Sequence, residues 1–483
     1  MQQHLDRLTA VDASFLHQEG PASHMHVGGI VICEGPPPPF EELLDHVRGR
    51  LHLVPRYRQR LATAPAGRPV WIDDPTFNLE YHMRRTALPA PGDEARLRAL
   101  AARVFSQQLD RSKPLWELWV VEGLEDDAFA LMSKTHHAMI DGVSGVDLAT
   151  VLFDLSPEPA EVPHPDRPWS ARPQPSTTAL VASGSAGLAR AGLRLASQAA
   201  SALLTRPQAA AATAREALEG LGEVAWAGLN PAPPSPLNTE IGPHRRFVGV
   251  RHDLADFKTV KNAFGGTVND VVLTVVSGGL RTWLRSRGVR TEGLELRALV
   301  PVSTRADHER QALGNRITVM RGPLPVYIGD PVARLRAVKA AMDGLKESKQ
   351  AVGAEVLTGA QQFAPPTILA QASRLNFSTR LFNLIVTNVP GPQFPLYVRG
   401  RRMTEIFPVA FLPKDHALAV AIMSYDGRIN FGLLGDFDAL PDIDLIADGI
   451  RESLAELVGL ARDQERDGAS AARSARPRRR APA

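Results

Sequence analysis

Apolar positions recur along this chain at two spacings, and the two alternate. "HVGGIVIC" (26–33) is a continuous apolar run of strand length, and "FEELLDHVRGRLHL" after a proline cluster places Leu43, Leu44, Val47 and Leu51 at helical spacing. "LWELWVVEGLEDDAFALMSKTHHAM" reads as two strands joined by a Gly-Leu-Glu-Asp-Asp turn, the second ending near His136, with a helical period resuming in "VSGVDLATVLFDL" after Gly142. A second stretch repeats the mixture. "RRFVGVRHDL" is strand-like, "DFKTVKNAF" a short helix and "VNDVVLTVVSGGLRTWLRSRG" a long one. Strand candidates "ELRALVPVS", "RITVMRGPLPV", "FNLIVTNVPGP", "LAVAIMSY" and "INFGLLGD" follow, and the amphipathic "IDLIADGIRESLAELVGLAR" closes the series. Pro clusters bracket an Ala-rich segment between the stretches, where Leu188, Leu195, Ala199 and Ala202 share a helical face. The pattern predicts an α/β (α+β) protein of two halves, 1–160 and 241–465, with a Pro/Ala-rich helical connector at 161–240 and a basic tail at 466–483. A cleft between the halves is expected.

Composition narrows the class. At 44% hydrophobic and 22% charged residues the 483-residue chain is globular, and its +3 net charge is accounted for by the five arginines of "RSARPRRRAPA". A near-neutral body argues against nucleic acid as partner. The tail reads as a disordered end, with anionic headgroups as the other reading. The lone Cys33 excludes an internal disulfide and a cysteine-based zinc site; its apolar run makes it a packing thiol. No secretory signal and no run long enough to span a bilayer is visible, so a cytoplasmic protein with at most peripheral membrane contact is expected.

The chemistry concentrates in "SKTHHAMIDG" (133–142), a strand end holding two of the 14 histidines. Neighbouring residues on a strand point to opposite faces, so His136 and His137 do not chelate one ion, and no metal is expected. Instead one ring can face the cleft while the other packs inside. A neutral imidazole is suited to take a proton from a hydroxyl. On spacing alone, the plain alternative stands beside this: Asp141 an N-cap, both histidines satisfied polar groups. No nucleophile elbow, Walker A loop or dinucleotide fingerprint accompanies the strands, so no cofactor is implied.

His136-His137-Ala138-Met139-Ile140-Asp141-Gly142 resembles the HHxxxDG signature of the CoA-dependent acyltransferase superfamily. "DASFL" (12–16), Pro114-Leu115-Trp116, "PLNTEIGPHRRF", "TVND" with Asn269 and Asp270, "VPVSTR" with Arg305, "LGNRI", and "TNVPGP" with Asn388 resemble the wax ester synthase/diacylglycerol acyltransferase branch, in order from residue 12 to residue 392. The resemblance implies two chloramphenicol-acetyltransferase-like domains with mixed sheets. It implies fatty acyl transfer from acyl-CoA, a substrate rather than a cofactor, to diacylglycerol or a long-chain alcohol at a membrane or lipid-droplet surface. His137 would be the base, His136 its support, and Asp141 a loop-orienting group paired with Arg305. Gly142, Pro114, Leu115, Trp116, Asn269, Asp270, Arg305 and Asn388 would line the cleft. Thr267 to Asp270 also fits a helix-capping box, Trp116 fits core packing, and the Pro-Gly-Pro turn fits a rigid cleft wall. Two other readings remain at this level: a transferase for carrier-bound or polyketide acyl groups, and a non-catalytic lipid binder. Oligomeric state is not written in the sequence.

Overall fold

The computed structural model describes residues 6–62, 69–139, 151–159, 162, 168–176, 178, 230–303, 317–347 and 377–474. The first half contains β1 (Asp6–Arg7), α1 (Ala10–Gln18), β2 (His26–Cys33), α2 (Phe40–Arg50), β3 (Gln59–Ala62), β4 (Val70–Asp73), α3 (Leu79–His82), β5 (Met83–Ala87), α4 (Glu94–Ser106), β6 (Trp116–Glu122) and β7 (Phe129–His136). The second contains β8 (Arg245–Asp253), α5 (Leu254–Phe264), α6 (Val268–Ser286), β9 (Leu296–Ser303), β10 (Ile317–Leu324), α7 (Pro331–Glu347), β11 (Leu384–Pro390), β12 (Tyr397–Val398), β13 (Arg401–Val409), β14 (Leu418–Tyr425), β15 (Arg428–Asp436) and α8 (Ile443–Ser474). The helical reading of the connector's Ala-rich part lies outside the described residues, as does the helix start at Gly142.

Two six-stranded mixed sheets dominate, ordered β12-β13-β2-β7-β6-β5 and β10-β9-β11-β14-β15-β8, with a small β1-β4-β3 sheet beside the first. The second sheet is mixed because β11 runs parallel to both β9 and β14 while its other pairs are antiparallel. The division at 241–465 needs one amendment. Residues 397–409 leave the second half and complete the first sheet, β13 pairing antiparallel with β2 from Met403–Cys33 to Val409–Gly28. The sequence hides this strand because "RRMTEIFPV" has no clean alternation and its partner is 372 residues away where Thr404 meets Ile32. β13 also packs across the second sheet, and two glycines make room. A Cβ on Gly432 would collide with the carbonyl of Pro408, and one on Gly249 would stand 2.9 Å from the Phe407 ring.

One apolar core runs through both halves, from Leu97, Leu100 and Val104 of α4 to the second sheet and the inner faces of α6 and α8, so the halves are packed as one body. A second cluster lies under the first sheet and contains Trp116, Leu115 and the fully buried Cys33. No single described helix is long and apolar enough to cross a membrane; α5 and α6 approach that composition together across a 100° bend, and α6 buries its apolar residues.

Gly28 lies where β2 is sandwiched between β7 and β13, and an added Cβ would collide with the main-chain carbonyl of Ser133. Backbone cannot swing aside as a side chain can, so Gly28→Ala is expected to cost about 1–3 kcal/mol. Urea denaturation monitored by far-UV circular dichroism checks this; an unchanged midpoint would mean the sheet yields there.

Candidate active site

β7 ends at His136, and His137–Met139 turn out of the sheet as a short 3₁₀ helix. Two main-chain bonds fix the junction: the His136 N–H donates to Leu115 O at 2.9 Å, and the His137 N–H to Met25 O at 2.8 Å. The two rings then face different surroundings. His136 is fully buried, its Nδ1 accepting from the Ala138 N–H at 3.0 Å. That bond leaves the ring proton on Nε2, which lies 3.6 Å from the Glu19 carboxylate. Glu19 follows α1, its N–H donating to Phe15 O as the helix's closing bond. Its side chain is 1% exposed and gathers His136, His26 (Nε2 at 3.4 Å) and a two-pronged contact from the Arg111 guanidinium. Burial would raise the Glu19 carboxyl, but hydrogen bonding to His136 and His26 and then the charges of His136 and Arg111 outweigh it and hold the carboxyl far below its usual range.

His137 lies among aromatics. Its ring stacks on Phe15 at 4.0 Å between centroids and meets the edge of Phe411 at 5.6 Å. Phe377 touches both phenylalanines, so the collar draws on α1 and on the second half. Burial, more than the neighbouring His136, pushes its pKa down to about 4, and its own main-chain carbonyl works weakly the other way. The ring is therefore neutral at neutral pH. Phe15→Ala is expected to admit water beside His137, moving its pKa up from about 4 toward 6.5. It is also expected to destabilise the fold by about 3 kcal/mol. The acid limb of the rate profile and a thermal melt read the two effects separately.

The other expected site residues sort unevenly. Asp141, Gly142 and Arg305 lie outside the described residues. Asn388 Nδ2 donates to Asn269 Oδ1 at 3.3 Å, joining β11 to the start of α6. Asp270 is a cap: Thr267 and Asp270 form a reciprocal capping box, with Thr267 N donating to Asp270 Oδ2 at 2.7 Å. Among the described residues no hydrogen bond, ion pair or ring contact joins this pair of elements to His136 or His137. Pro114, Leu115 and Trp116 belong beneath the sheet rather than in a cleft wall. Leu115 and Trp116 are fully buried, the indole N–H donates to Tyr57 O at 2.8 Å, and His82 stacks on the indole at 4.7 Å. Their physical role at the site is indirect, through the Leu115 carbonyl that holds His136. Sequence reasoning missed Glu19, His26, Arg111, Phe15 and Phe411. "DASFL" was the available signal for Phe15; nothing local marks the others.

The arrangement is similar to known structures. A wax ester synthase/diacylglycerol acyltransferase from Marinobacter aquaeolei VT8 aligns over 94% of this chain and 99% of its own at a TM-score of 0.66 and 28% identity. The starter condensation domain of rhizomide synthetase aligns over 95% of each chain at 0.55, but at 16% identity it shows the fold alone. Two mixed sheets, the first completed by a strand from the second half and ending in a histidine pair, thus define the two-lobed architecture of CoA-dependent acyltransferases. The sequence narrows the class. The wax ester synthase/diacylglycerol acyltransferase catalytic domain matches residues 8–272 and the family's C-terminal domain residues 313–458. Diacylglycerol O-acyltransferases of Mycobacterium bovis (putative) and Mycobacterium tuberculosis (probable) are each 35% identical over 475 residues, covering 95% of this chain and 97% of theirs. The chain belongs to the wax ester synthase/diacylglycerol acyltransferase family.

Proposed function

We propose that this acyltransferase moves a fatty acyl group from acyl-CoA to diacylglycerol or a long-chain alcohol, with His137 as general base and no covalent intermediate. The observation that carries the reading is the His137 ring, neutral and held by Phe15 and Phe411 at the end of β7. Its Nδ1 is buried, so in this reading Nε2 is the nitrogen that meets the substrate. Nε2 takes the hydroxyl proton as the oxygen attacks the thioester carbonyl. The tetrahedral oxyanion collapses, the C–S bond breaks, and the proton passes from Nε2 to the departing CoA sulfur. A desolvated site strengthens each of these interactions.

The family acts on acyl-CoA and an acceptor, and diacylglycerol and long-chain alcohols are both apolar. Val389 and Phe394, each about half exposed and flanking the Pro-Gly-Pro turn, offer apolar surface for a peripheral lipid contact at the inner membrane face or a droplet of a cytoplasmic enzyme. The test is thiol release from palmitoyl-CoA with hexadecanol, with dipalmitoylglycerol and without acceptor, products identified by mass spectrometry. Acceptor-dependent release supports the reading and ranks the alcohols. No release with either removes both acceptors and turns attention to a carrier-bound donor.

A further inference from the structure

The last two turns of α6 begin with a glycine crossing. A Cβ on Gly279 would stand 2.8 Å from Ile446 O, and one on Gly449 would stand 2.8 Å from Gly279 Cα, so α6 and α8 touch backbone to backbone. Beside this crossing a cavity of about 470 Å³ opens between α6, α8 and the Gly329 turn before α7. Three guanidiniums line it: Arg281, Arg285 and Arg334.

Two of them are anchored by neutral acceptors. Arg281 Nη1 donates to Thr291 Oγ1 at 2.8 Å and Val326 O at 2.6 Å. Arg334 is 4% exposed and donates to Ile328 O and Gly329 O, both at 3.0 Å, and to Ser453 Oγ at 3.4 Å. Gly278 is required for this approach, since a Cβ there would meet both Ser453 Oγ and the Arg334 guanidinium. Among the described residues no carboxylate forms an ion pair with Arg281, Arg285 or Arg334. Burial and the charge of Arg281 both press the Arg334 pKa down, against weaker help from Glu456 and Asp330. Carbonyl oxygens orient a guanidinium but carry only partial charge, so like charges packed together leave an anion's place open. Arg281 lies twelve residues along α6 from Asn269, about 18 Å of helix.

We propose that this cavity binds a phosphate-bearing anion, its oxygens facing Arg281, Arg285 and Arg334 with the Ser453 and Thr282 hydroxyls alongside. Guanidinium forks match tetrahedral oxyanions geometrically. Glu452 and Glu456, exposed on the α8 rim, oppose polyanions and so favour a single phosphate group. Such a group could be free in solution or carried on a lipid headgroup; the chemistry of recognition is shared.

Binding is read by titrating the purified full-length chain with inorganic phosphate against sodium chloride at matched ionic strength, using calorimetry and thermal melts. In parallel, the protein is sedimented with phosphatidylcholine vesicles with and without phosphatidic acid. Arg285 and Glu456 are exposed, so Arg285→Ala and Glu456→Gln leave the packing intact. Arg285→Ala is expected to weaken binding about tenfold, the scale of one charge-assisted contact. Glu456→Gln is expected to tighten it. Phosphate binding with these opposite responses supports a soluble ligand; phosphatidic-acid-dependent sedimentation with the same responses supports a headgroup. Equal effects of phosphate and chloride together with no dependence on phosphatidic acid overturn the site, as does binding that neither variant changes.

Discussion

Replacing His137 with alanine is expected to lower acceptor-dependent thiol release by about 10²- to 10⁴-fold, the usual worth of a positioned base. The fold should survive, because the place of His137 in the chain is fixed by its own N–H bonding to Met25 O. Acyl-CoA should still bind, so kcat should fall while KM changes little. The wild type carries a second signature. A base with a pKa of about 4 stays unprotonated until the medium is that acidic. The rate should therefore hold flat as pH drops through 6.5 and decline only toward 4, the reverse of what a solvent-exposed imidazole would give. A variant that turns over normally would remove His137 from the chemistry altogether.

Glu19→Ala is expected to be the most damaging change outside His137. It strips the buried carboxylate from His26, His136 and Arg111 at once, and removing one member of such a group costs about 3 kcal/mol even allowing for the half-exposed Arg111. With its Nε2 partner gone, His136 is free to shift, carrying the 137–139 turn with it. A displacement of about 1 Å at the base can cost up to about a hundredfold in rate. The pH dependence has a definite sign. The folded carboxyl is held far below 4.5, so the unfolded chain takes up a proton that the folded chain refuses as pH drops below that value. The stabilisation by Glu19 is complete above 4.5 and shrinks steadily below it, so wild-type and variant urea midpoints should converge in acid. Midpoints that run parallel across that range, or a variant with full turnover, would deny Glu19 its positioning role.

The sequence exposed the site's covalent order better than its surroundings. The strand-like run located β7 and placed its end near His136, because a turn must follow where a run of strand length breaks. The capping pair Thr267 and Asp270 was equally readable, since capping is a contact across three residues. Glu19 and Arg111 were not. They stand 92 residues apart, and their value to His136 exists only once α1 has been laid across the 137–139 turn. Trp116 was placed in the cleft only by the resemblance, while the residue itself fitted core packing: a large ring whose N–H finds a carbonyl is well served by the core, and Tyr57 O supplies one. The exchanged strand was invisible for two reasons: "RRMTEIFPV" has no clean alternation, and no local pattern names a partner in the other half.

That strand bears on how the protein comes into being. On the ribosome β2 emerges well ahead of β13, which follows 372 residues later. At ordinary translation rates β2 waits roughly twenty seconds to over a minute for its neighbour. During that interval a nascent chain presents an open sheet edge, the kind of template that recruits other strands. Its protection falls to whatever attends the nascent chain, and a message cut short before residue 401 yields two unfinished lobes instead of one intact one.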